Sequence, residues 1–385
     1  MNRIIKLQQP RHGTITILAA IMSIVLVGMV AFCVDLGYVL SAKEELQRST
    51  DSAALAACWE FGQKLSKGNT TTAAGDYARV TAAQYATLNR VTGNPMTIDA
   101  NTSNDPNGDV VFGYVADFKD SQSPFQTSNP ARFNAVKVRL RKCPSANGEV
   151  PYFFARVFGL EGQSLSTEAV AGLIRDVKGF KAPSDGGTLG ILPYALDLQT
   201  WTSFVANSGA DNYKWNPTTK AITAGSDGLV EVNLFPQGTG SPGNRGTVDI
   251  GSSNNSTADI ARQILHGISA SDLAALGKPL EFDATGKLIL NGDTGISAGV
   301  KDELDSIKGQ PRIIPIFSSV SGNGNNAQYT IVKWQGIRIM NVKLTGSMSQ
   351  KNVMIQVAPA MTKGVVPATA IGSSSSVFSP VVLVR

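Results

Sequence analysis

Between Ile15 and Val34 the chain reads ITILAAIMSIVLVGMVAFCV, twenty residues without a charge and with Thr16 and Ser23 as the only hydroxyls. As a helix such a run covers about 30 Å, the thickness of a bilayer's hydrocarbon core, so the sequence predicts a membrane-spanning segment over 15–34. A secretory leader has a shorter apolar stretch followed by a small-residue cleavage site, and neither is present, so a retained anchor is expected. A lipoprotein signal does not fit, because Phe32 stands where a small residue must precede Cys33. Arg3, Lys6 and Arg11 come before the span, and the excess of basic residues on that side puts residues 1–14 in the cytoplasm and everything from Asp35 onward outside.

Charge beyond the span is close to balance. Three of the 34 Lys and Arg lie in the basic flank, whereas all 29 Asp and Glu stand at or after Asp35. The pI of 9.0 therefore reflects topology, and without a basic stripe it is no nucleic-acid footprint. Histidine occurs only at His12 and His266 and cysteine only at Cys33, Cys58 and Cys143. Metal centres of His and Cys, and His-dependent catalysis, have almost no raw material, so neither enzyme chemistry nor a cofactor is expected. With Cys33 at the end of the span, Cys58 and Cys143 are the pair placed to bond in an oxidising compartment; buried free thiols are the alternative. Gly 38 and Pro 18 favour a turn-rich, largely β body over a helical bundle.

No proline falls between Pro10 and Pro95, and the helical pattern continues past the span, predicting one helix from about Thr14 to Leu65. Its apolar stripe runs through Leu36, Val39, Leu40, Leu46, Ala53, Ala54, Ala57, Phe61 and Leu65. The stripe is rich in small residues, which let another backbone come close, so this face should lie against a sheet or a neighbouring helix. A second helix is expected over Thr72–Arg90, followed by strands at Met96–Ala100, Val110–Phe118, Phe133–Leu140 and Ser164–Ile174. The Lys178–Gly187 stretch, KGFKAPSDGG, reads as a domain boundary, with the linker proper at 179–187. From 188 to 385 the pattern is mainly β, with strand runs at Leu189–Ala195, Leu229–Phe235, Lys287–Leu290, Arg312–Phe317, Tyr329–Trp334, Ile337–Leu344, Asn352–Ala358 and Val377–Val384. One short helix, Ser256–Ile268, interrupts them. The fold class is α+β: an apolar helix continuing into a long helix packed on a small sheet, then a mainly β distal part.

Gly13, the apolar run, Val34-Asp35-Leu36-Gly37, Leu46-Gln47 and Thr50-Asp51-Ser52-Ala53-Ala54-Leu55-Ala56-Ala57 occur in the order seen in the TadE/TadG-like proteins of the bacterial tight-adherence (Flp) pilus system, which this segment resembles. A softer likeness extends to Pro151–Gly159, PYFFARVFG, and to Ser166–Ala171. The resemblance implies a TadG-like region over 35–178 and a single-pass extracytoplasmic component of the bacterial cytoplasmic membrane. It would work in the periplasm through contacts with other pilus-system proteins, and with further copies of itself as an added option. It singles out Asp35, Gly37, Leu46, Gln47, Asp51, Ala53, Ala54 and Ala57 as an interaction face. Leu18 stands five residues after Gly13 where the family's pseudopilins carry glutamate, so prepilin-type cleavage is not expected. The metal-binding D-x-S-x-S loop of some relatives is missing from the sequence.

The competing class is a membrane-tethered binding module for a glycan or protein ligand, in which Tyr194, Trp201, Tyr213 and Trp215 would form an aromatic platform. Gly238–Gly243 satisfies G-x-G-x-x-G, but Pro242 and the Asn244-Arg245-Gly246 that follows make no helix, so a surface loop is the reading. His266 lies on an otherwise apolar helical pattern without a G-x-S-x-G elbow, which fits packing better than catalysis. Asp35 is the acid of most interest, since a carboxylate at the end of a spanning helix is costly unless it reaches the interface or a partner group.

Overall fold

The computed structural model describes residues 14–234, 245–251, 256–293, 298–322, 324–347 and 350–384. The basic flank with Arg3, Lys6 and Arg11, Gly13, and the Gly238–Gly243 loop lie outside the described residues. Helix α1 runs unbroken from Thr14 to Ser66, about 80 Å at 1.5 Å per residue. Among the described residues it is the one helix long and apolar enough to cross a membrane, and none of its apolar window is covered by the rest of the chain. Ser23 satisfies its hydroxyl inside the helix, donating to the Ala19 carbonyl at 2.8 Å.

Past the apolar run, α1 pairs with α2, Thr71–Leu88, whose first turn is capped by the Thr70 hydroxyl accepting from the Ala73 amide at 3.2 Å. The α2 face turned inward is as small as that of α1: Ala74, Gly75, Ala78, Ala82 and Ala86 are buried. Beneath the two helices lies an antiparallel sheet in the order β1 (Val110–Gly113), β2 (Ala135–Lys142), β3 (Leu165–Gly172) and β14 (Val382–Leu383). In β2, Val136, Val138 and Leu140 enter the core. The alternate residues meet acids on the other face, Arg139 with Glu168 at 3.1 Å and Arg141 with Asp109 at 2.7 Å. Helix and sheet approach closely: Ala53, Ala54 and Ala57 are fully buried, the Thr50 and Thr167 hydroxyls meet at 2.6 Å, and a Cβ on Gly62 would stand 2.9 Å from Leu173 Cδ2.

The Met96–Ala100 run, expected as a strand, is extended chain outside any sheet. Side chains have taken the amides a ladder would use, with Thr97 N donating to Asn147 Oδ1 at 2.9 Å and Asp99 N to Asp109 Oδ2 at 3.2 Å. Arg79 of α2 claims the carbonyls of Ala100 (2.7 Å) and Val110 (2.6 Å), tying this segment to the helix.

The distal part is organised by a closed barrel. Strands β5 (Tyr194–Asp197), β7 (Arg245–Val248), β9 (Leu288–Asp293), β11 (Ala327–Lys343) and β10 (Pro311–Ser321) form a ring that β10 closes by pairing with both β5 and β11. Trp334 fills the interior, stacked on Phe282 and met edge-on by Phe180. Expected as two strands, Tyr329–Trp334 and Ile337–Leu344 are one. Its second half leaves the ring to pair with β12 (Asn352–Val357), which pairs with β6 (Glu231–Asn233). Helix α4, Thr257–His266, forms where expected, with Ser256 as its cap; α3, Leu198–Val205, was not foreseen.

Two expected boundaries shift. The 179–187 linker begins inside a strand, β4 (Val177–Phe180), which pairs with β8 (Leu280–Glu281) and β13 (Val365–Pro367) because Val177, Gly179 and Phe180 are buried between the basic residues that suggested a linker. The Val377–Val384 run splits, and β14 crosses back to pair with β3. The C-terminal segment thus belongs to the first sheet.

Ala53→Leu or Ala57→Leu is expected to overpack the α1–sheet contact at a cost of about 1–3 kcal/mol, read as a lowered melting temperature. Ala53→Ser and the exposed Lys43→Gln should be close to neutral. Equal tolerance of leucine and serine would show that the two elements are not in close contact.

Candidate functional site at the base of the long helix

Asp35 is the first residue past the apolar run and is only 3% exposed, although α1 around it is largely open. What covers it is the hairpin loop between the short pairing strands Val150–Pro151 and Gly162–Gln163. Three successive amides of that loop converge on the carboxylate. Phe153 N donates to Oδ1 at 2.7 Å, Phe154 N to Oδ1 at 3.2 Å and Oδ2 at 3.1 Å, and Ala155 N to Oδ2 at 2.7 Å. Phe154 has no side-chain cap for the single helical turn Ala155–Phe158 that it starts, and Asp35 supplies the missing acceptor from 119 residues away. The turn is closed by Gly159 at φ 83°, a left-handed conformation that glycine adopts without strain. Tyr38, one turn above Asp35, meets the Phe153 ring edge-on at 4.9 Å.

Burial by itself would raise the Asp35 carboxyl, but the amides of Ala155, Phe153 and Phe154 outweigh it and hold the group below the ordinary carboxylate range. The cost anticipated for an acid at the end of the apolar run is met by the chain's own backbone. The sequence shows both halves of the contact, the VDLG step and the PYFFARVFG turn, but gives no sign that they pair. The available signal was a glycine-terminated turn with no capping side chain of its own.

The rest of the predicted face separates. Leu46, Ala53, Ala54 and Ala57 are sealed in the chain's own helix–sheet core and are not free for another protein. Gln47 reaches Asp51 Oδ1 at 2.7 Å and the Glu168 carbonyl at 3.5 Å, another contact with the chain's own sheet. Gly37 is exposed, and a Cβ there would meet nothing. Cys58 and Cys143 are free thiols, the second of the two alternatives that the sequence left open. Cys58 is buried in the core, its thiol pushed up by desolvation, whereas Cys143 sits in the turn past β2 with Sγ 3.3 Å from Ser145 Oγ.

The four aromatics do not form one platform. Tyr194 is buried in the barrel wall, Trp201 donates to Gln335 Oε1 at 2.6 Å beneath Lys333, and Trp215 stacks on Arg338 with Tyr213 beside it in a separate hairpin. His266 is exposed on the last turn of α4.

Asp35→Ala should release the loop, read as faster tryptic cleavage after Arg156 in detergent at neutral pH, while Asp35→Asn, keeping one acceptor oxygen, should lie between it and wild type. Because the folded carboxyl sits below its free value, the attachment contributes above the free pKa of about 3.9 and is lost only as pH falls through the lower folded value. The Phe153 amide resonance should therefore be constant from neutral to mildly acidic pH and move only below that range; a change near pH 6 would contradict the assignment.

Residues 13–84 match the family model for Flp pilus-assembly TadE/G-like proteins, and residues 62–171 match the model for Tad-like Flp pilus-assembly proteins. No curated protein and no solved structure matches the chain. Asp35 falls in the first matched region and the loop it holds in the second, so the contact joins the two family segments into one unit. Over residues 13–171 the chain is therefore similar to TadE/TadG-like proteins of the Flp pilus-assembly type.

Proposed function

We propose that the protein is a membrane-anchored, extracytoplasmic component of a Tad/Flp-type pilus assembly system that works through protein contacts and performs no chemistry. The observation that carries this reading is the continuity of α1: an uncovered apolar span runs without a break into a helix whose other half is built into the folded body. A rigid connection of that kind transmits position. The basic residues before the span support an N-terminus in the cytoplasm and a body in the periplasm.

Since the small-residue stripe is spent on internal packing, contacts with other pilus-system proteins must use surfaces that remain open. The outer side of the α1–α2 pair presents Trp59, Tyr77, Val80, Tyr85 and Leu88, each 42–74% exposed. Trp59 and Tyr85 line one shallow groove with Ser52, Leu55, Ala56 and Glu60. Large half-exposed aromatics of this kind are typical anchors of protein interfaces.

Reporter domains fused after Arg90 should be active only if exported. Crosslinking in living cells should capture other Tad proteins, and Trp59→Ala should reduce that capture while leaving the melting temperature nearly unchanged. A cytoplasmically active reporter would overturn the topology, and undiminished capture would remove this face from the contact.

A further inference from the structure

The loop held by Asp35 is apolar where it meets solvent. Phe153 is 56% exposed, Phe154 48%, Val157 85%, Phe158 84% and Leu160 58%, five large apolar side chains in eight positions, with Arg156 as the single charge. Scattered exposed apolar residues need no explanation, but a contiguous set marks a surface that something covers. The place of this set identifies what does. Its backbone is fixed to the first residue after the apolar run, so the loop stands at the level where α1 passes from hydrocarbon into headgroups. Leu36 and Leu40, one turn apart on α1 just past the span, are also open, at 45% and 53%.

The loop's backbone suits such a place. A segment lying against the hydrocarbon is favoured when its amides are satisfied internally, because water becomes scarce there, and here Phe153, Phe154 and Ala155 donate to Asp35, Val157 to the Phe154 carbonyl, Gly159 to that of Arg156 and Leu160 to that of Ala155. Tyr38 and Tyr152 flank it, the residue type enriched where the apolar core meets headgroups. Arg156 adds a long cationic side chain whose stem can lie in the apolar zone while its head reaches lipid phosphate.

We propose that the Phe153–Leu160 loop is seated in the interfacial layer of the membrane that α1 spans, with lipid as the occupant of its exposed apolar surface. The inference rests on the reading of α1 as an anchor. The loop then gives the body a second attachment point beside the span, so that the body is held in one orientation and does not swivel on a single helix.

The test uses the full chain reconstituted in vesicles of phosphatidylethanolamine and phosphatidylglycerol containing phosphatidylcholine brominated at a shallow or a deep acyl position. Phe158→Trp and, separately, Val157→Trp place a reporter at sites open enough for the larger ring, with the wild-type chain and its native tryptophans as baseline. Lys67→Trp, at the far end of α1, is the control. The reporters at 157 and 158 should shift to the blue and lose emission with the shallow quencher more than with the deep one, while the reporter at 67 should do neither. Co-flotation after alkaline carbonate washing is measured on the same samples. If the chain floats but neither loop reporter is quenched, the anchor reading stands and this proposal falls, leaving a protein partner as the occupant. If the chain does not float, the anchor reading fails and the proposal with it.

Discussion

Close approach between α1 and the sheet beneath it is the contact on which the rest of the structure depends. It is possible only because the facing positions are small: Ala53, Ala54 and Ala57 on α1 and the alanine face of α2 leave the sheet side chains room to fill the space between the layers. Packing of this kind is unforgiving of added volume, since interiors are near crystal density. It also makes the outer half of a long helix an integral wall of a folded body, so the direction of the apolar half is set by the fold of the other.

The Asp35 contact follows from that wall. Once the sheet fixes β2 and β3 against α1, the hairpin between them must descend along the helix, and its glycine-closed turn arrives with three free amides and no cap. A carboxylate at that level resolves two problems together, the uncapped turn and the acid at the edge of an apolar span. The same geometry explains why the distal part does not hang from a flexible tether. Strand β4 passes directly into the barrel assembly, and β14 returns from it to the edge of the first sheet.

Local periodicity made the helical half of the fold legible. The absence of proline and the apolar spacing located α1 to within a residue at its far end, and the expected second helix, Thr72–Arg90, falls within two residues of α2 at both ends. Strands with strict alternation, such as β2, were equally visible. What could not be read were features settled by distant parts of the chain. Met96–Ala100 has a strand's composition but its hydrogen bonds go to side chains of Asn147 and Asp109. Lys178–Gly187 has a linker's composition but begins in a strand buried by partners more than a hundred residues away. The candidate site was half legible: Asp35 stood out as an acid in an expensive place, but its partner was a set of backbone amides, which carry no sequence signature. The alanine stripe was correctly marked as a packing face, while its partner proved to be the chain itself.

The central claim is that α1 and the Phe153–Leu160 loop are locked together at Asp35, so that span and body form one rigid unit. Amide hydrogen exchange of the full chain in lipid nanodiscs tests it most directly. The amides of Phe153, Phe154 and Ala155 should exchange as slowly as those of α1 between Leu46 and Phe61, because both open only with the body. Exchange at the rate of the exposed 184–187 turn would mean that the loop is free of the helix and that the body is attached to its span by α1 alone.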